Sequence, residues 1–256
     1  MTLPRIQAPF VIWTLQRTGG TNFNHCLNHL SDCPRLQDEA FNPGREQGHL
    51  TEAWKRSKDT DALRRDIGAV CAQPHNFKHC VELVPWPVNE VLTEVTLSYG
   101  YSHIFLYRRN PLERILSREY ARRTSTWGPR QAQAAAGKDI SDAMETPLDA
   151  DAAIRHETMA NTRLNRVWTA LEAAGAAPIP ISFEELYAND EMVTRQSLER
   201  VFAGLGQVLS ADQTTEIMDM VRTRGDQKTR DRYNQFKGVG QVKERLVELP
   251  SLLCST

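Results

Sequence analysis

Two groups of residues in this chain have the types and spacing for chemistry on an anion. The first is Gln16-Arg17-Thr18-Gly19-Gly20-Thr21-Asn22. It follows the apolar run Phe10–Leu15, which reads as a buried parallel strand, and precedes a helical segment starting near Asn22. A strand, a glycine turn and a helix N-terminus make an anion site, because unpaired backbone N–H groups and the positive end of the helix dipole both point at the turn. Glycines let an anion come close to the backbone. Arg17 adds a cationic fork, and Thr18 and Thr21 add hydroxyl donors. The plain alternative is an ordinary tight turn with a surface arginine.

The second group is Arg109, Pro111 and Ser117 in Tyr107-Arg108-Arg109-Asn110-Pro111-Leu112-Glu113-Arg114-Ile115-Leu116-Ser117. The strand Ser102–Tyr107 runs into it, and Pro111 suits the first turn of the next helix. The step from Arg109 to Ser117 corresponds to about 12 Å along a helix axis. The strand-to-helix turn shortens that distance, so both side chains are expected to reach one phosphate. Arg114, Arg118, Arg122 and Arg123 follow, and a solvated basic helix face is the alternative reading.

Several chemistries are disfavoured. A Walker A loop closes its glycine turn with Lys-Ser/Thr. Here the cation precedes the glycines and no Gly-Lys-Ser/Thr occurs, which argues against a magnesium-dependent nucleotide hydrolase. His25 and His29 have helical i, i+4 spacing, but no acidic or cysteine partner completes a zinc set, so no metal is expected. No G-x-S-x-G elbow is present.

The two groups together resemble the phosphosulfate-binding signatures of the sulfotransferases, closest to the bacterial trehalose-type and nodulation-type carbohydrate enzymes. The first loop matches at Arg17, Thr18, Gly19, Gly20, Thr21 and Asn22, and the 3′-phosphate signature matches at Arg109, Pro111 and Ser117. Residues 181–190, ISFEELYAND, resemble the family's strand-to-helix region. Asp226–Tyr233 resembles a donor-capping segment, which makes Lys228 and Arg230 candidate ligands of the 3′-phosphate. The resemblance spans Phe10 to about Lys237 and is loose between its signatures. It implies transfer of a sulfuryl group from 3′-phosphoadenosine 5′-phosphosulfate, without a metal, to a hydroxyl, with a carbohydrate or other small molecule as acceptor.

The resemblance also implies site residues. Glu39-Ala40-Phe41 keeps a Glu-x-Phe pattern that makes Glu39 the candidate base, with Asp38 as neighbour and competitor. His79, in Asn76-Phe77-Lys78-His79, is the rival base, although the family's Lys-x-His spacer is missing. Adjacent strand residues point to opposite faces, which favours Lys78, whose ammonium would stabilise the leaving oxygen. Arg17 joins them as a catalytic cation. The competing classes are a kinase-like phosphotransferase and a non-catalytic nucleotide-binding protein.

These residues need a frame that brings strand ends together. Strands alternating with helices point to one doubly wound, mainly parallel α/β domain over residues 1–256, with a P-loop-like loop and helices on both faces. Ligands on such sheets sit at the carboxyl ends of strands, where Arg17 and Arg109 both fall. The first helix spans residues 21–30. Leu36–Phe41 reads as a short strand or extended segment, Thr51–Ile67 as one charged helix, and Val70–Ala72 and Asn76–Leu83 as short strands. Helices are expected over Asn89–Leu97, Pro111 to about Thr126, Asp151–Ala174, Glu191–Leu205 and Ala211–Thr223. Ile179–Phe183 reads as an edge strand because of Pro180, and residues 127–147 as a candidate lid or substrate loop, with Trp127 at the acceptor.

Composition is compatible with that frame. The chain of 256 residues is 40% hydrophobic and 25% charged, with net charge −1. Such a balance gives no global support for nucleic-acid or membrane-surface binding. The start MTLPRIQAPF has no apolar signal core, and no run approaches membrane-spanning length. Five cysteines without a C-x-x-C pair suggest a reduced, cytoplasmic setting.

Overall fold

A computed structural model describes residues 5–127, 131, 145–225 and 236–255. Among them lies a parallel sheet of four strands, β1 (Phe10–Thr14), β2 (Phe77–Cys80), β3 (Ser102–Tyr107) and β4 (Ile179–Ser182), in the order β2-β1-β3-β4. Ile12 sits opposite Lys78 on one side and Ile104 on the other. β4 is an edge strand, where Pro180 leaves no central ladder bond unmade.

Side-chain alternation divides the core between the sheet's two faces. Val11, Trp13, Phe77, Phe105 and Tyr107 share one cluster, and Phe10, Ile12, Ile104, Leu106 and Ile181 the other. The first face is covered by α3 (Thr60–Cys71), α4 (Trp86–Ser98) and α6 (Ala150–Ala173), through Ile67, Val91, Leu164 and Val167 among others. The second face is covered by α1 (Gly20–His29), α8 (Glu191–Gly204) and α9 (Ala211–Gly225). Both faces being covered explains why the central strands read as continuous apolar runs.

α5 (Pro111–Thr124) begins as its sequence suggests: Pro111 occupies the first turn and the Asn110 side chain accepts from the Glu113 N–H at 3.2 Å. Its buried Ile115, Leu116 and Tyr120 pack with Leu148, Ala153 and Val242 in a third cluster. A one-turn helix, α7 (Phe183–Leu186), follows β4 through a capping box between Ser182 and Glu185. A last short helix, α10 (Val239–Glu244), packs on α6.

Three expectations fail. Residues 51–67 are not one helix. α2 (Gly48–Ser57) ends at Lys58, whose φ of 58° is left-handed, and Asp59 caps α3 by accepting the Ala62 N–H at 2.9 Å. The break lets Leu50, Leu63, Ile67 and Cys71 all reach the core, which the sparse stripe of one straight helix would not. Val70–Ala72, expected as a strand, is the end of α3. Leu36–Phe41 is likewise no ladder strand: Arg35 makes a single bridge to Asn76, after which the chain turns.

Among the described residues no helix is long and apolar enough to cross a membrane, and all five cysteines are free and buried.

Candidate functional site

In the strand order β2-β1-β3-β4 the chain leaves β1 toward one side and returns on the other, so the carboxyl ends of β1 and β3 flank the crevice where open α/β sheets bind ligands. The loop after β1 is pinned there at consecutive backbone groups. The Gln16 N–H donates to Glu82 Oε1 at 2.6 Å, the Gln16 carbonyl accepts from Arg114 Nη1 at 3.2 Å, and the Arg17 carbonyl accepts from Arg108 Nη1 at 3.3 Å. Between them Arg17 adopts a left-handed φ of 68°, a conformation that costs a non-glycine residue about 1–2 kcal/mol. Its guanidinium donates from Nε to Ser117 Oγ at 2.9 Å and from Nη1 to the Trp127 carbonyl at 2.9 Å.

Gly19 continues the turn at φ 78°, and a Cβ there would lie 2.5 Å from the Tyr187 ring. The Tyr187 hydroxyl donates to the Gly19 carbonyl at 2.9 Å. α1 then starts with no side-chain cap and no acid in its first turn. The first-turn N–H groups of Gly20, Thr21 and Asn22 therefore keep the partial positive charge of a helix start.

A buried ion pair completes this corner. Lys78, on β2, donates from Nζ to Glu39 Oε1 at 2.9 Å and to Thr21 Oγ1 at 3.1 Å, with its side chain only 5% exposed. Its stem crosses Gly20, where a Cβ would lie 2.8 Å from Lys78 Cδ. Glu39 is brought in by its backbone, whose N–H donates to the Lys78 carbonyl at 3.1 Å while φ turns to 58°. Burial works against the Glu39 charge, but the Lys78 ammonium outweighs it and holds the carboxyl below the usual carboxylate range. Burial likewise opposes the Lys78 charge, and its acidic neighbours Cys80 and Glu39 reverse the balance, so its pKa is raised. Glu39 is the ionised one of those two, because burial pushes the Cys80 thiol well above its ordinary value.

His79 faces the other side of the sheet. Its Nε2 pairs with Asn89 Oδ1 at 2.8 Å, its ring meets Trp13 edge-on at 5.5 Å, and burial lowers its pKa to about 4. It is a neutral core histidine away from Lys78 and the loop. Asp38 is also diverted, accepting from Asn24 Nδ2 at 2.8 Å.

The second anion group is arranged differently from its spacing. Ser117 is buried and bonded to Arg17, whereas Arg109 is half exposed and pairs through Nη2 with Glu185 Oε1 at 3.1 Å. The expected convergence of Arg109 and Ser117 on one point is not present, because Glu184 takes the Arg109 and Asn110 N–H groups and Glu185 takes the guanidinium. Two further donors point inward. The Thr18 hydroxyl lies 2.5 Å from Thr14 Oγ1 and donates to the Leu15 carbonyl at 2.7 Å, and Asn22 Nδ2 donates to the Val221 carbonyl at 3.1 Å. Both are scaffold rather than loop-mouth donors. Lys228, Arg230 and most of residues 127–147 lie outside the described residues.

The basic helix face is also corrected in part. Arg114 is 1% exposed and bridges Glu157 through both ends of its guanidinium, with Glu82 Oε1 at 3.5 Å from Nη1. Arg108 is buried too, paired with Glu113 at 2.6 Å and stacked 4.2 Å from the Phe183 ring. Sequence reasoning missed Glu82, Glu157 and Tyr187. Tyr187 stood inside the resembling stretch 181–190, but no local pattern marks the other two.

His29 is half exposed and pairs with Glu216, and among the described residues no group of His, Cys, Asp or Glu is placed to hold a metal ion. No protein-family model matches the chain, and no curated protein matches it.

Proposed function

We propose that the protein is a sulfotransferase that moves a sulfuryl group from 3′-phosphoadenosine 5′-phosphosulfate to a hydroxyl of a carbohydrate or similar small molecule. The observation that carries the reading is the buried Lys78–Glu39 pair against the uncapped first turn of α1. A fixed ammonium and a carboxylate stand where the glycine turn presents its N–H groups, without a Walker lysine. The motifs at Arg17–Asn22 and Arg109–Ser117 supply the remaining support.

In this reading the first-turn N–H groups, Thr21 and Arg17 bind the 5′ end of the donor, and Arg109, released from Glu185, binds the 3′-phosphate. The donor supplies the sulfuryl group: the acceptor oxygen forms the new S–O bond, and the phosphate oxygen leaves with the electrons of the old one. Lys78 meets the charge on that leaving oxygen, as preorganised cations do in related phosphoryl transfers. The acceptor proton goes to Glu39. A carboxyl held low by Lys78 is a weak base at rest. As charge grows on the leaving oxygen, the fixed Lys78 ammonium is shared with it, its hold on Glu39 weakens, and burial then raises the Glu39 pKa, which strengthens the base at the moment it is needed.

The test is calorimetric titration with 3′-phosphoadenosine 5′-phosphate, and with ADP plus magnesium. Only the first carries a 3′-phosphate. Tighter, metal-independent binding of the first, by about ten- to a hundredfold, supports the reading. Preference for ADP with magnesium selects a phosphotransferase. Binding without turnover of the phosphosulfate donor over a range of sugar acceptors selects a non-catalytic nucleotide-binding protein.

A further inference from the structure

We infer that Arg114, held by Glu157 and Glu82, is a positioning residue that fixes the loop after β1 in its anion-binding shape before any ligand arrives. The inference rests on the donor-site reading for its purpose, though not for its geometry. Glu82 and Arg114, themselves 3.5 Å apart, take the N–H and the carbonyl of the same residue, Gln16. The next peptide is taken by Arg108. Three ionisable side chains with almost no exposure thus hold successive backbone groups around the left-handed Arg17.

Their origins matter. Glu82 follows β2, which carries Lys78. Arg114 lies one helical turn before Ser117 on α5, so one face of that helix holds Gln16 by its carbonyl and Arg17 by its side chain. Glu157 comes from α6. The cluster ties the β1 loop to the elements bearing Lys78 and Ser117. A left-handed arginine persists only where its surroundings over-determine it, and these bonds do so. A loop already in shape binds without an ordering cost.

The experiment compares Arg114→Lys and Glu82→Gln with Val167→Ala, a buried core change on α6 that leaves the loop untouched. Arg114→Lys keeps the charge but loses the bidentate grip, and Glu82→Gln keeps the shape but loses the charge. Two readouts are taken: hydrogen exchange of the peptide covering residues 15–21, and affinity for 3′-phosphoadenosine 5′-phosphate, with melting temperatures alongside. Both loop variants should speed exchange in that peptide selectively and weaken binding by about tenfold relative to Val167→Ala at similar thermal stability. Exchange and affinity that track melting temperature equally in all three proteins would overturn the inference. If the native protein binds none of the probe, the sulfotransferase reading falls, and the exchange data alone still decide the clamp.

Discussion

Two cations flank the crevice at the carboxyl end of the sheet, and they are built in opposite ways. Lys78 lies under the α1 turn, 5% exposed, with Glu39 18% exposed as its partner. Arg109 lies on the outer rim, 54% exposed, with Glu185 17% exposed. Each makes one close carboxylate contact, so distance alone does not separate them. Water does. The inner ammonium is almost closed off from solvent and its carboxylate is mostly so, so removing one member leaves a poorly solvated charge, whereas Arg109 can leave its carboxylate and find water or a phosphate at small cost. The inner cation suits a fixed electrostatic role, and the outer one suits an arm that exchanges partners.

The largest expected break comes at the inner pair. Lys78→Met strands the Glu39 carboxylate and should cost about 3 kcal/mol of unfolding free energy, read from urea denaturation. Adding Glu39→Gln should recover part of the loss, since no uncompensated charge remains. On the proposed reading, sulfuryl transfer by Lys78→Met should fall by about 10²–10³. A stability loss near that of a surface change would erase the contrast between the two cations.

Acid should attack the buried region next. His79 and His103 are both held neutral by burial, with pKa values lowered to about 4. The unfolded chain takes up their protons first, below about pH 6.5, so it binds more protons than the native state and stability falls as pH drops from about 6.5 toward 4. Each histidine should remove roughly 2 kcal/mol between about pH 7 and pH 5. Glu39 acts lower: its folded pKa is depressed, so its contribution is present above the ordinary carboxylate value and is lost as pH falls through the depressed one. Urea midpoints at the two pH values check this, and His79→Gln should shrink the difference. An unchanged difference would mean that His79 titrates like a solvated imidazole.

The contrast itself was only partly legible in the sequence. The strands were readable because burial on both faces leaves apolar runs, as at Phe10–Thr14 and Ser102–Tyr107, and Pro180 marked an edge. Residue parity along β2 was enough to set Lys78 and His79 on opposite faces. Partners distant in the chain were not readable. Arg114 looks like its neighbours Arg118 and Arg122 until α6 brings Glu157 against it. Arg109 and Ser117 have a spacing that permits convergence, but Glu185, from after β4, decides where the guanidinium rests. The inward turn of Thr18 depends on the Leu15 carbonyl just past the end of β1. A position's parity and local propensity are encoded nearby, whereas the burial of a charge is set by whatever packs over it.

The outer cation gives smaller effects and sharpens the comparison. Arg109→Ala should change unfolding free energy by less than about 1 kcal/mol, because it removes only a rim ion pair. The same change should weaken 3′-phosphoadenosine 5′-phosphate by about ten- to a hundredfold while leaving ADP nearly unaffected. The finest distinction is the coupling within each pair, measured by double-mutant cycles on stability. Arg109–Glu185 should couple by a few tenths of a kcal/mol, and by less when salt is raised to about 1 M, where the Debye length falls to about 3 Å. Lys78–Glu39, enclosed by Thr21, Gly20 and Asn42, should keep its coupling at both salt concentrations, since mobile ions cannot enter between the partners. Equal salt sensitivity in the two cycles would show that water reaches Lys78 as freely as Arg109, and would remove the basis for assigning the inner cation a fixed role.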